Sequence, residues 1–216
     1  MTINIDQYKL IKKELTEKQV TLVAVSKIQS IEKIKALYEL GERNFGENYV
    51  QELCSKQEAL KDLDINWHFI GHLQTNKVKY IAPFIHLIQS VDSLKLLKEI
   101  NKEAKKNNRI INCLLQIYIS KEETKYGLDE VEFQQIIDFQ RHGNLENICI
   151  KGLMGMASFS EDEKNVKSEF QYLQSIYHQH PEFEILSMGM SSDYKIAINY
   201  CSNLVRIGSS IFGARV

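Results

Sequence analysis

Eight short apolar runs, separated by longer segments with helical spacing, constrain the fold of this chain more than any other feature of its 216 residues. The first and last runs start at positions 21 and 204, which leaves seven intervals of about 26 residues, enough for a strand, a three-turn helix and short loops. An open doubly wound sheet would show the same alternation, but eight strands in a chain of this length close more readily than they fan out. The sequence therefore predicts an α/β fold, a single (β/α)8 TIM barrel over residues 1–216. The expected strands are Thr21–Val25, Asn44–Gly46, Trp67–Ile70, Ile85–Ser90, Ile111–Ile119, Ile148–Met156, Glu184–Met190 and Leu204–Ile207.

Helix signals fit between these strands. The segment Asn4–Lys18 has apolar residues at helical spacing and predicts an extra helix before the first strand. Asp92 or Ser93 is expected to begin the helix after the fourth strand, because short polar side chains cap helix N-termini. Ser160 and Glu163 form an S-x-x-E pattern, which predicts a capping box at the start of the helix after the sixth strand.

Composition and charge exclude several partners. The formal net charge is −1 and the lysines are spread along the chain, whereas nucleic-acid binding requires a clustered basic surface. The longest apolar run near the N-terminus, Leu22–Val25, is far too short for a signal peptide or a membrane span. The four cysteines are scattered without metal-ligand spacing. We therefore expect a cytoplasmic protein with no membrane partner and no metal, and a monomer, since no large exposed apolar stripe is evident.

The lysine after the first strand is the leading candidate for chemistry, because functional groups in parallel barrels lie at the carboxyl ends of the strands. Lys27 lies two residues after the end of Thr21–Val25, with Ser26 between them. Partial desolvation at the barrel's mouth would lower the pKa of its ammonium group, and an unprotonated amine can form an imine with an aldehyde. The alternative is a lysine that extends from the strand end into water. Lys121 is a second strand-end lysine, but it leads into a charged loop.

Turns of small residues follow the last two strands. Met188–Ser192 follows the seventh strand, with a helix expected from about Asp193, and Ile207–Ser210 follows the eighth. Small residues let backbone N–H groups approach a phosphate closely, and these two loops form the common phosphate site of such barrels. The pair therefore indicates a phosphate-bearing ligand, although glycine and serine are common in any turn.

Arg206 lies inside the eighth strand, where a guanidinium group is costly unless it is paired. Its partner is either a carboxylate, Glu47 or Asp193, or an atom of a ligand. Glu47 and Asn48 are expected to face the mouth of the barrel. The spacing of His68 and His72 matches a helical zinc pair, but these residues fall on a strand and its end, so we expect no metal there.

Six segments together resemble the pyridoxal-phosphate homeostasis protein family, small barrels that bind pyridoxal 5′-phosphate (PLP) and are similar to the N-terminal domain of alanine racemase. They are Leu22–Lys27, Phe45–Glu52, Trp67–Gln74, Gly152–Met156, Leu186–Ser191 and Val205–Gly213. The resemblance implies PLP as the cofactor, with Lys27 as its Schiff-base lysine and Asn48 near its ring. It also implies Ser191, Gly208 and Ser209 around the phosphate and Arg206 facing the pyridine nitrogen. Gln29 replaces the proline or lysine often seen at that position, which concerns the loop and not the chemistry.

The function that the resemblance implies is PLP homeostasis without evident catalysis. An arginine at the pyridine nitrogen keeps that nitrogen unprotonated and weakens PLP as an electron sink. The racemases also use a second acid–base residue from a further domain, and we expect that domain to be absent here. PLP-dependent apo-enzymes are candidate recipients of the cofactor. Two alternatives stay open, namely a PLP-dependent racemase-like enzyme and a class I aldolase-type barrel that uses Lys27 directly.

Overall fold

The computed structural model describes residues 3–120, 126–143, 145–158, 160 and 162–213. Eight parallel strands form a closed barrel in sequence order, and the first strand pairs with the last, with Thr21 opposite Leu204. The predicted TIM barrel is therefore confirmed, and all eight predicted strands exist. The strands are β1 Thr21–Val25, β2 Asn44–Glu47, β3 Asn66–Phe69, β4 Leu87–Val91, β5 Ile111–Gln116, β6 Ile148–Met154, β7 Ile185–Ser187 and β8 Leu204–Ile207.

Helices alternate with the strands around the barrel. A 3-10 turn, Thr75–Lys77, directly precedes the fourth helix. In the described part of the chain the helices are α1 Ile5–Glu17, α2 Ile31–Glu39, α3 Val50–Ala59, α4 Val78–Ile81, α5 Leu94–Lys106, α6 Glu130–Arg141, α7 Glu163–His178, α8 Tyr194–Asn199 and α9 Ser209–Phe212.

The predicted helix before the first strand is α1. The side chain of Asn4 accepts a hydrogen bond from the backbone N–H of Gln7 at 3.1 Å, which caps the helix, and its apolar face is buried. Ser93 caps α5 in the same way, with the backbone N–H of Leu96 as donor. Both helices begin at the residues that the sequence predicts.

The predicted capping box at Ser160 and Glu163 is wrong. The helix α7 starts at Glu163, and its N-cap is Asp162, whose side chain accepts from the backbone N–H of Lys164. The hydroxyl of Ser160 instead accepts from the backbone N–H of Asp162. Ser160 lies two residues before the N-cap and therefore does not cap the helix.

Two apolar clusters fill the fold. Because side chains alternate between the faces of a strand, Val23 and Val25 of β1 share the face that lines the barrel's interior. Val23 belongs to a small interior cluster. A larger cluster packs the outer faces of the strands against the helices. The members of the interior cluster are Val23, Leu87, Leu114, Met154 and Leu204.

The described residues contain neither a membrane-spanning helix nor a cluster of metal ligands. Among the described helices, none combines the length and apolar character that crossing a membrane requires. Within the described ranges, no three His, Cys, Asp or Glu side chains come together as metal ligands. His68 is buried inside the barrel, whereas His72 is exposed and contacts Asp92 at 2.9 Å, so the two histidines do not form a pair.

Candidate functional site

A cavity of about 400 Å³ opens at the carboxyl ends of the strands. The structure brings all six residues singled out from the sequence to this one cavity: Lys27, Asn48, Ser191, Arg206, Gly208 and Ser209. Met190 and Ser192 also line it and belong to the turn Met188–Ser192 that the sequence indicated. Sequence reasoning assigned no role to the apolar lining residues Val25, Ile70 and Met156, because an apolar residue at a strand end carries no chemical signature.

Lys27 follows β1 and lies in a turn at the cavity. The backbone N–H of Ser26 donates to the carbonyl of Gly46, so the pairing of β1 with β2 continues up to the residue before the lysine. The side chain of Lys27 is half-buried. This position places a primary amine at the cavity. The rival lysine, Lys121, lies outside the described residues.

The turns after β7 and β8 contact each other at the cavity. The hydroxyl of Ser191 accepts a hydrogen bond from the backbone N–H of Gly208 at 3.3 Å. Gly189 has a φ of +98°, and a Cβ there would lie 2.7 Å from the Cβ of Ala197, so only glycine fits. The helix after β7 begins at Tyr194 with Asp193 as its N-cap, close to the predicted start. Backbone and hydroxyl donors therefore meet at one side of the cavity.

Arg206 is 4% exposed and reaches into the cavity from β8. Its Nη1 donates to the Oγ of Ser187 at 2.6 Å and to the carbonyl of the same residue at 3.0 Å, and its Nη2 donates to the carbonyl of Gly155 at 2.9 Å. Burial lowers the pKa of Arg206 from its usual 12.5 to about 10, and the nearby charge of Asp193 opposes this shift. The guanidinium group therefore stays positive at neutral pH.

Glu47, one of the partners that the sequence left open for Arg206, pairs elsewhere. Glu47 is buried, and its Oε1 forms a 2.8 Å ion pair with Lys56 of α3. Lys56 also pairs with Glu52 at 2.6 Å, four residues away on the same helix. Burial raises the pKa of Glu47, and the charge of Lys56 opposes that effect. From the sequence, Lys56 is one of many helical lysines, so nothing distinguishes it.

A series of hydrogen bonds runs inside the barrel from Arg206 toward the opposite end of the barrel. The hydroxyl of Ser187 donates to Oε1 of Gln89 at 2.7 Å, and Nε2 of Gln89 donates to Nδ1 of His68 at 3.0 Å. The other ring nitrogen of His68 then faces Oδ1 of Asn44 at 3.3 Å. Each donor in this series of hydrogen bonds meets an acceptor, which fixes the orientation of Ser187 beside Arg206.

A closed barrel with a lysine two residues after β1 and small-residue turns after β7 and β8 defines a class of fold, the barrel of alanine racemase. The family model described as "Alanine racemase, N-terminal domain" matches residues 5–216. An alanine racemase of Clostridium difficile shares the fold, with a TM-score of 0.75 at 15% identity over 97% of this chain and 57% of that chain.

Closer relatives define the family within this class. A pyridoxal phosphate homeostasis protein of Aquifex aeolicus is 39% identical over 90% of this chain and 86% of its own length. One from Helicobacter pylori is 38% identical over 89% of this chain and 87% of its own. PipY of Synechococcus elongatus, solved with PLP bound, matches with a TM-score of 0.87 at 31% identity over 96% of this chain and 99% of that chain. The chain belongs to the pyridoxal phosphate homeostasis protein family.

Proposed function

We propose that this chain, as one domain over residues 1–216, binds PLP covalently through Lys27 and serves in PLP homeostasis without catalysing a reaction. One observation carries the proposal: a single cavity is lined by Lys27, the buried Arg206 and the paired turns after β7 and β8. PLP combines an aldehyde, a pyridine nitrogen and a phosphate, and these three kinds of protein group match its three features. The relatives named for PLP homeostasis, and PipY with PLP bound, support the assignment.

The donor set of the cavity fits PLP. Oδ1 of Asn48 is buried and has no hydrogen-bond partner among the described residues, so it can accept from a polar group of a ligand. Ser191 and Ser209 supply hydroxyl donors for a phosphate, and a phosphate oxygen would replace Ser191 Oγ as the acceptor of the Gly208 N–H. The lining residues in the described ranges include no carboxylate, which would repel an anion. Ile70, Met156 and Met190 offer apolar contacts to a ring.

Lys27 performs the attachment step. Its amine would hold the cofactor covalently, because a primary amine can form an imine with an aldehyde as water leaves. When bound, PLP supplies an aldehyde carbon and an electron sink. Arg206, held cationic by its environment, would face the pyridine nitrogen as a donor and keep it unprotonated.

Two features support a role without catalysis. Of the described residues that line the cavity, the titratable ones are Lys27 and Arg206, whereas racemisation uses a second acid–base group opposite the lysine. A cationic donor at the pyridine nitrogen also weakens the electron sink. These properties suit a protein that holds PLP and releases it, with PLP-dependent apo-enzymes as proposed recipients.

Absorption spectroscopy and borohydride reduction test the attachment. The purified protein is expected to be yellow, and borohydride should fix one PLP to Lys27, which peptide mass spectrometry would locate. Lys27→Ala should abolish both signals, whereas Lys121→Ala should keep them. A label on another lysine would contradict the proposal.

Activity assays separate the alternatives. Racemisation of an amino acid that is lost in Lys27→Ala would overturn the role without catalysis. A colourless protein that gives borohydride adducts with a sugar phosphate would favour the aldolase-type alternative.

The proposal also covers location and assembly. We propose a monomer in the cytoplasm, where PLP-dependent apo-enzymes would receive the cofactor. Light scattering during size-exclusion chromatography should give the mass of one 25.1 kDa chain. A mass of twice that value would overturn the monomer, and cell fractionation would test the location.

A further inference from the structure

A buried group of three charges contacts the turn that carries Lys27. This group, the Lys56 cluster, consists of Lys56, Glu47 and Glu52. The ammonium group of Lys56, whose side chain is 6% exposed, donates to Oε1 of Glu47 at 2.8 Å and to Oε1 of Glu52 at 2.6 Å. Its third hydrogen bond goes to the backbone carbonyl of Ser26 at 2.7 Å. An ammonium group has three donors, so Lys56 uses all of them here.

The turn itself is strained. The backbone N–H of Gln29 donates to the carbonyl of Ser26 at 3.0 Å, which closes a four-residue turn with Lys27 and Ile28 at its centre. Ile28 has a φ of +63°, in the left-handed region that a β-branched residue rarely adopts. The residue is 61% exposed, so burial does not hold it in this conformation. Other contacts must stabilise the turn.

The Lys56 cluster binds both neighbours of Lys27. On one side, the hydroxyl of Ser26 donates to Oε1 of Glu47 at 2.6 Å. On the other side, the backbone N–H of Ile28 donates to Oε1 of Glu52 at 2.6 Å. Without Lys56, the two carboxylates would repel each other and Glu47 would be left as a buried, unpaired charge. The ammonium group is therefore what keeps both acceptors on the turn.

We propose that Lys56 is a positioning residue for Lys27, because it holds the two carboxylates that fix the strained turn and so keeps the Lys27 amine at the cavity. The inference rests on the proposed function, since its effect is read in the formation of the Schiff base. A role in folding alone would change the stability of the protein and leave the reactivity of the folded protein intact. The two roles therefore differ in a measurable way.

Lys56→Met tests the inference, because methionine has a similar length but no charge. The rate at which the PLP-free protein forms the Schiff base, as Lys27 adds to the aldehyde and water leaves, would be followed by visible absorbance. We expect a loss of about 10- to 100-fold, since a small misplacement of a reacting group costs rates of this order. Circular dichroism and thermal unfolding would show how much protein is folded.

Lys12→Met is the matched control. Lys12 forms a 2.9 Å ion pair with Glu42, whose side chain is fully buried and does not line the cavity. The control therefore also removes the cation from a buried carboxylate, which keeps hydrogen bonds from the backbone N–H groups of Arg43 and Asn44. It leaves the turn untouched, and its rate should stay within about twofold of wild type. Equal rates for the two variants at equal folded fraction would overturn the inference.

Ile28→Gly adds a coupling test. Glycine adopts a positive φ without strain, so a turn with glycine depends less on the Lys56 cluster. In the Ile28→Gly background, Lys56→Met should slow Schiff-base formation much less than in wild type. Independent, additive effects of the two substitutions would contradict the proposed positioning.

A milder variant keeps the test decisive if Lys56→Met fails to fold. Glu52→Ala removes the acceptor of the Ile28 N–H at a position that is about a quarter exposed. We expect slower Schiff-base formation, again reduced in effect by Ile28→Gly, and an unchanged rate would overturn the inference. Wild-type protein that forms no Schiff base on Lys27 would instead remove the proposed function on which the inference rests.

Discussion

Arg206 and Ser187 form a 2.6 Å hydrogen bond between the neighbouring strands β8 and β7, with Nη1 of the arginine as donor and Oγ of the serine as acceptor. The serine's own proton is directed to Gln89, so its lone pairs are available to the guanidinium group. The position of Arg206 at the cavity therefore depends on a buried hydroxyl group that does not itself line the cavity.

Ser187→Ala is expected to weaken PLP binding about three- to tenfold, because Arg206 loses one of its charge-assisted hydrogen bonds and its orientation loosens. Ser202→Ala is the control: Ser202 is also buried near β7 and β8, but its hydroxyl binds backbone groups such as the carbonyl of Met188. Equilibrium titration with PLP measures the affinity, and thermal unfolding checks the fold. An equal loss of affinity in both variants would assign the effect to general destabilisation.

The hydroxyl groups of the two turns are expected to recognise the phosphate and not the ring. Ser191→Ala and Ser209→Ala should each weaken PLP binding by about tenfold, because each removes a donor to a charged group. Their affinity for pyridoxal, which lacks the phosphate, should change little. Ser210→Ala is the control, since Ser210 does not line the cavity. Parallel losses for PLP and pyridoxal would place these serines elsewhere on the ligand.

Strand order and the site positions follow from the sequence because both depend on local patterns. Apolar runs give the strands, and the first residues after β1, β2, β7 and β8 are brought together by the geometry of a closed parallel barrel. The strand ends do not follow as closely from the sequence. The sequence predicts that the fifth strand reaches Ile119, but the strand ends at Gln116. The prediction runs too far because Ile117 and Ile119 are apolar and buried although they lie beyond the strand.

Contacts between distant segments could not be predicted. The hydrogen-bond acceptors of Arg206 are Ser187 and Gly155, which lie 19 and 51 positions away in the chain. Carboxylates were the obvious candidates because they carry the opposite charge, but backbone carbonyls carry no sequence signal. Lys56 was missed for a similar reason, since only the fold shows that this helical lysine faces the barrel.

Gly71 is expected to fix the position of Asn48. A Cβ at Gly71 would lie 2.7 Å from the Cα of Asn48, closer than real contacts allow, so Gly71→Ala must displace that backbone. We expect a loss of stability of about 1–3 kcal/mol from overpacking, together with weaker PLP binding. Urea unfolding and PLP titration measure the two effects. In the Asn48→Ala background Gly71→Ala should weaken binding no further, and a full additional loss would contradict the link.

His68 should make the stability of the protein depend on pH. Burial lowers the pKa of His68 from 6.5 to about 3, and the charge of His86 adds to this effect. The neutral ring accepts from Gln89, and a protonated ring could not. Between pH 6.5 and 3 the unfolded chain binds a proton that the folded protein does not. The contribution of His68 is therefore fully present above pH 6.5 and is lost as the pH falls through this window.

The expected slope is up to about 1.4 kcal/mol of unfolding free energy per pH unit from this one group. Urea unfolding at pH 8, 6.5, 5.5 and 5 would measure it, above the range in which most carboxylates titrate. His68→Gln should be less stable at pH 8 but should lose less stability on acidification. Burial also lowers the pKa of His86. Its contribution to the dependence of stability on pH therefore has the same sign and remains in the His68→Gln variant. His142→Gln, at an exposed position, is the control for the loss of an imidazole group. A His68→Gln protein with the full wild-type slope would show that the buried ring takes up a proton without cost.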